Sequence, residues 1–291
     1  MPLWLSNPVV IFPPETGRGR DGRFDFFLEN AAAIYGKPPP EFANLADHVD
    51  TAHPEAETLT AAAMRIALLE APTEMSPTLL HDCRSTPTIG SPAPSYKLLS
   101  KAGLERTIPL TLHGQGGTEV IQALLLRLCE DDNAPSLTVL SATHWPLEST
   151  NTLNCDSLSA NTAALVTTEK LLNGGFRLLG AALTRHYLAH SQVAISRVLA
   201  EALEFADIDS DQLGWAVIHN GVEGLFENVT THLPTVQIFH RNTCAGIDLG
   251  CADILVSLHE FIKKLPTGVP GAIFAAGRFG AIAVLLTILE R

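Results

Sequence analysis

The chain has 291 residues, 46% of them hydrophobic, which is ample material for a sizeable core. Its formal net charge of -12, with 19 Lys and Arg dispersed apart from the small group Arg18, Arg20 and Arg23, would repel a phosphate backbone and argues against nucleic acid as a partner. Five cysteines (Cys83, Cys129, Cys155, Cys244 and Cys251) are odd in number and lack Cys-x-x-Cys spacing, which speaks against a disulfide framework or a structural zinc site and for a reducing compartment.

The first fifty or so residues are irregular, with Pro13-Pro14 and Pro38-Pro39-Pro40 punctuating short apolar runs such as Val9 to Phe12, so loop around one or two strands is expected there. From about Glu55 the pattern turns helical: Ala61, Ala62, Met64, Ile66, Leu68 and Leu69 form an apolar face that ends near Pro72. Leu79-Leu80-His81-Asp82 then reads as an apolar strand ending in His and a small polar residue, and Val217-Ile218-His219-Asn220 repeats that form later in the chain.

The stretch Gly116 to Leu124 also has a partner, Gly250 to Leu258. At a constant offset glycine meets glycine, Glu119 meets Asp253, and Val120-Ile121 meets Ile254-Leu255. The same offset carries Leu137 to Ala142 onto Gly271 to Ala276, so helix and strand recur without a gap, which is the mark of an internal duplication. Val120 to Leu128 and Ile254 to Ile262 are apolar all round, as suits helices held between two sheets, and the flanking strands Leu137 to Leu140 and Ile273 to Ala276 read as buried on both faces. The expected architecture is an α/β five-layer αβαβα sandwich built from two halves, residues 1–172 and 173–291.

Two such halves around buried central helices resemble the thiolase superfamily, and in detail ketoacyl-ACP synthase III and its relatives. In that family a nucleophilic Cys stands at the turn entering the first buried helix, in an Ala-Cys-x-Gly form. Here Gly114-Gln115-Gly116-Gly117 fills the slot. The family's catalytic His ends a strand of the second half, where Asp211, Trp215, Val217, Ile218, His219 and Asn220 look like its motif. Counting back from the second helix start places the third family position at Asp248, and Gly277-Arg278-Phe279-Gly280 resembles the glycine-rich terminal turn. The resemblance thus implies degenerate catalytic positions at Gln115, His219 and Asp248, with Asn220, Gly277, Arg278 and Phe279 beside the acyl-carrying arm of coenzyme A or phosphopantetheine.

Chemistry separates the readings. A condensing enzyme holds its acyl group on a thiolate favoured by a helix N-terminus, and a His and an amide then donate to the developing oxyanion. A carboxamide at residue 115 has no nucleophile to offer, and a buried Asp248 would repel an oxyanion if ionised. The resemblance therefore implies a catalytically degenerate subunit that pairs with an active ketosynthase, meets an acyl carrier protein and shapes the partner's acyl site in polyketide or fatty-acid-like secondary metabolism. A malonyl-ACP decarboxylase with Gln in place of Cys, and a stand-alone acyltransferase using other residues, stay open beside it.

His81, His113 and Cys251 read as structural, Cys251 being a small buried residue at a helix start. The Arg18, Arg20 and Arg23 group reads as a solvated loop before it reads as a phosphate site. No bound cofactor or metal is expected. Ala281 to Leu289 is far shorter than the ~20 residues of a membrane span, and no basic region precedes an apolar stretch at Met1, so a cytoplasmic protein is expected.

Overall fold

Short β-branched and aliphatic runs separated by helices give, in this computed structural model, one strand order used twice. The structure describes residues 1–12, 56–85, 94–113, 117–130, 134–144, 160–185, 192–220, 222, 224–241, 249–277 and 280–291. The first set of elements is β1 (Leu3–Leu5), β2 (Val9–Ile11), α1 (Ala56–Leu68), β3 (Leu79–Arg84), α2 (Pro94–Ala102), β4 (Ile108–His113), α3 (Glu119–Leu128), β5 (Leu137–His144) and β6 (Ala160–Thr167). The second is β7 (Gly175–Arg185), α4 (Gln192–Ala206), β8 (Trp215–Ile218), α5 (Leu225–His232), β9 (Gln237–Phe239), α6 (Asp253–Phe261), β10 (Pro270–Ala276) and β11 (Ala281–Glu290).

Strands run β4-β3-β5-β6-β1 in the first half and β9-β8-β10-β11-β7 in the second, with β1 pairing both β6 and β7 so that the two orders join. In each half three strands are parallel and the next is antiparallel to them: β4, β3 and β5 before β6, and β9, β8 and β10 before β11. Helix α3 touches β3, β4 and β5 on one side and β7 and β11 on the other; α6 touches β2 and β6 on one side and β8 on the other. Helices α1 and α2 cover the outer face of the first sheet, and α4 and α5 that of the second. This is the expected five-layer sandwich. Among the described residues no helix is long and apolar enough to cross a membrane.

The duplication holds for both central helices, since Glu119 and Asp253 each open one. The strand register differs from the sequence reading. Cys83, Leu140 and Ala142 point into the central layer, as do Val217, Ile273 and Ala275, whereas Ala272 and Phe274 face α4. Side chains alternate along a strand, so a slip of one residue exchanges the faces. Leu137 therefore matches Pro270, the first residue of β10, rather than Gly271, and the second half is one residue shorter between helix and strand. Because His81 pairs with Leu140 and Val217 with Ile273, His81 corresponds to Val217, and it is Cys83 that corresponds to His219. The similarity of the two His-ending strands misplaced that match by two residues.

Candidate functional site

The site begins where β8 ends. His219 keeps its strand pairing, its N–H donating to the Phe274 carbonyl at 2.9 Å, and its side chain turns into the central layer with Nδ1 2.9 Å from the Ala276 carbonyl. The Ala276 N–H also lies 3.4 Å from Nδ1, so the ring's tautomer decides whether Nδ1 donates to the Ala276 carbonyl or accepts from its N–H. The head of α3 lies directly against the ring. A Cβ on Gly117 would fall 2.3 Å from His219 Cε1 and 2.5 Å from the Ala276 carbonyl oxygen, so the position admits only a hydrogen. Glu119 braces this turn by accepting on Oε2, at 2.8 Å, the N–H of Gly117, the residue just before the helix N-cap Thr118.

The turn after His219 is held by a buried charge. Asp253, at the head of α6, accepts the Asn220 N–H at 3.0 Å on Oδ1, and its Oδ2 pairs with Nη2 of Arg241. The Leu249 N–H and the Ser257 hydroxyl, both at 3.4 Å, also donate to it. Arg241, Asp253 and Asn220 are all fully buried. Gly277 closes the β10–β11 turn, its N–H donating to the Ala281 carbonyl at 2.9 Å. The structure thus sets His219 against the head of the first central helix, and its neighbour Asn220 against Asp253 at the head of the second. Gln115, Asp248, Arg278 and Phe279, like Arg18, Arg20 and Arg23, lie outside the described residues.

The same geometry recurs, crosswise, in the other half. Cys251 takes the place of Gly117, and it rests on the strand ends of β3 and β5. Ser85 Oγ accepts the Cys251 N–H at 2.9 Å and donates to Sγ at 3.3 Å, while the thiol is shared between the carbonyls of Cys83 and Thr143, each at 3.3 Å. Burial, helped by the nearby Glu119 carboxylate, pushes the Cys251 thiol far above its ordinary range. Burial does the same to Cys83, reinforced by Cys251 and then Glu119. Both are packing thiols, not thiolate nucleophiles, and Cys129 is an exposed residue at the far end of α3. Among the described residues no group of His, Cys, Asp and Glu is arranged to hold a metal ion.

Sequence reasoning missed Arg241 and Asp253 as part of this site. Asp253 carried a signal, its alignment with Glu119. Arg241 carried none, because its carboxylate partner comes from a separate element.

A duplicated five-layer sandwich with a His-ended strand of one half pressed on the central helix of the other is a thiolase-like fold. No family model matches the sequence, nor does any curated protein. Solved structures do match, and over the whole chain. OleA of Xanthomonas campestris with acetamide bound superposes with a TM-score of 0.69 at 12% identity, covering 99% of each chain. ChlB3, described as an acyltransferase, gives 0.67 at 16% identity over 100% of this chain and 98% of its own. The type III polyketide synthase domain of Steely1, a type I/III hybrid from Dictyostelium, gives 0.67 at 12% identity over 100% of both. The fold is that of the ketosynthase-like members of the thiolase superfamily.

Proposed function

We propose that this chain is a ketosynthase-like subunit that carries no acyl group on the head of its first central helix, and that it works beside an active ketosynthase whose acyl site it helps to shape. The observation that carries this reading is the turn against His219. Gly117 fills the contact and Gln115 precedes it by two residues, while the thiol at the other helix head, Cys251, is sealed between two backbone carbonyls. An amide cannot form a thioester. The substrate would be an acyl group on coenzyme A or on the phosphopantetheine of an acyl carrier protein, and the setting cytoplasmic.

The outer edge of β4 supports the pairing. That strand ends the sheet order, with β3 as its neighbour, and presents Ile108 and Leu110 exposed. An apolar sheet edge of this kind is a template for another strand. Two measurements test the reading together. Intact-mass spectrometry after incubation with acetyl-CoA and malonyl-CoA should find no acyl adduct, and co-expression with a ketosynthase bearing an intact Cys should yield a stoichiometric complex. An adduct on this chain, or failure of every such pair to co-purify, refutes it.

A second reading, a malonyl-ACP decarboxylase, draws support from His219, which stands ready to hydrogen-bond an enolate oxygen when Nε2 is protonated. Conversion of malonyl-ACP to acetyl-ACP by the purified chain, followed by mass spectrometry, separates it from the first.

A further inference from the structure

A cavity of about 270 Å³ opens at the end of the sandwich opposite His219, where the β1–β2 turn, the tail of α6 and the last residues of β11 meet. Helix α6 joins the two ends: its first residue, Asp253, holds the turn after His219, and its last turn reaches the cavity about 14 Å away at about 1.5 Å per residue. The wall is pinned in place. His259 Nδ1 of α6 lies 2.8 Å from the Pro8 carbonyl, and Ser6 Oγ accepts the Leu165 N–H at 2.8 Å, so both sides of Asn7 are tied down.

The polar groups of this wall are incompletely served. The Oδ1 atom of Asn7 is buried and accepts no hydrogen bond among the described residues, and Lys263 forms no ion pair among them. Arg291 gives Nη2 to the carbonyls of Ile262 at 3.1 Å and Lys263 at 3.4 Å, which offsets the negative pole at the tail of α6 and fixes the guanidinium, yet it meets no carboxylate among the described residues. Glu290, the one carboxylate lining the cavity among those residues, is taken on Oε1 by Arg177 at 2.9 Å and on Oε2 by Lys170 at 3.0 Å. In a chain with 31 acidic and 19 basic residues, the local balance is reversed.

Each group restricts what can bind. Two uncompensated cations favour a dianion, and a phosphate monoester offers close to two negative charges at neutral pH with three acceptor oxygens. A buried acceptor left unmet is costly, so the same ligand must bring an O–H or N–H to Asn7. At about 30 Å³ per water the volume equals about nine waters, which limits the ligand to on the order of ten non-hydrogen atoms.

We infer that this cavity binds a small phosphate monoester bearing a free hydroxyl, with its phosphate between Lys263 and Arg291 and its hydroxyl on Asn7 Oδ1. The site is separate from His219 and does not depend on whether the chain handles acyl thioesters.

Calorimetric titration of the full chain at low salt, with glycerol 3-phosphate, glycerol and inorganic phosphate as probes, tests it. Glycerol 3-phosphate is expected to bind saturably and about fivefold tighter than inorganic phosphate, and glycerol not to bind. Lys263→Ala should weaken the ester about tenfold, and Asn7→Ala should bring it to within about twofold of inorganic phosphate. Lys263 is exposed and Asn7 Oδ1 has no partner to lose, so both variants should keep the wild-type melting temperature to within about 2 °C. Absence of saturable binding by the ester, an unchanged affinity in Lys263→Ala, or a preference over inorganic phosphate that survives Asn7→Ala overturns the inference. Capture by vesicles containing phosphatidic acid without binding of the free ester would overturn it too, by moving the phosphate to a membrane surface. None of these results alters the acyl-adduct measurement, so the two readings fail separately.

Discussion

A single buried imidazole gives this fold a measurable acid response. His81 lies on β3 beneath α3, where burial first and the Arg127 guanidinium second lower its pKa from 6.5 to about 4, a backbone contact with Ala123 partly opposing them. Unfolding restores the ordinary value, so between pH 6.5 and 4 the unfolded chain binds a proton that the folded chain refuses. Stability contributed by the neutral ring is therefore complete above pH 6.5 and is lost as the pH falls towards 4, by an amount on the order of 3 kcal/mol. Denaturant titrations at pH 7 and pH 4.5 should show His81→Gln losing less stability than wild type over that interval. Parallel losses in the two proteins would place the acid sensitivity elsewhere. The same residue shows how a sequence misleads, because its likeness to His219 is one of local pattern, and its true counterpart by register is Val217.

Helix α3 and strand β8 meet at a contact that tolerates no side chain. Gly117→Ala would drive a methyl into His219 and the Ala276 carbonyl, and overpacking of that kind costs about 1–3 kcal/mol. The expected outcome is a lower melting temperature together with displaced His219 ring resonances in 15N-histidine spectra. Gly268→Ala is the control: its added methyl meets nothing within 4 Å, so it pays only the ~1–2 kcal/mol of a left-handed φ and leaves those resonances in place. Unmoved His219 signals in Gly117→Ala would detach this helix head from the site. The elements themselves were legible in the sequence, since the two central helices announce themselves by a glycine turn, an acidic first residue and an apolar circumference. The register of their following strands was not. Leu137 to Ala142 is buried on both faces, so its composition holds no alternation from which a one-residue slip can be seen. Arg241 was equally silent, because burial of a lone arginine is decided by the carboxylate it meets in space.

For the whole molecule, β4 ends the sheet order of the first half, as β9 ends that of the second, and β4 presents Ile108 and Leu110 exposed. Ile108→Lys with Leu110→Lys should leave the melting temperature within about 1 °C, since surface changes of this sort rarely alter stability, yet should weaken association with a ketosynthase partner or a second copy, as read by sedimentation. Undiminished assembly would move the interface to another face. The layered architecture and the duplication could be anticipated from sequence because both rest on repeated hydrophobic patterns, whereas oligomeric edges depend on which strand the topology leaves last. The crosswise seating of the two helix heads has a wider consequence. Each half carries the plug for the other's socket, so a chain severed between them would yield two pieces with hollow centres that regain order only by reassociating. The gene for such a protein can be neither halved nor shuffled one half at a time without both core and site failing at once.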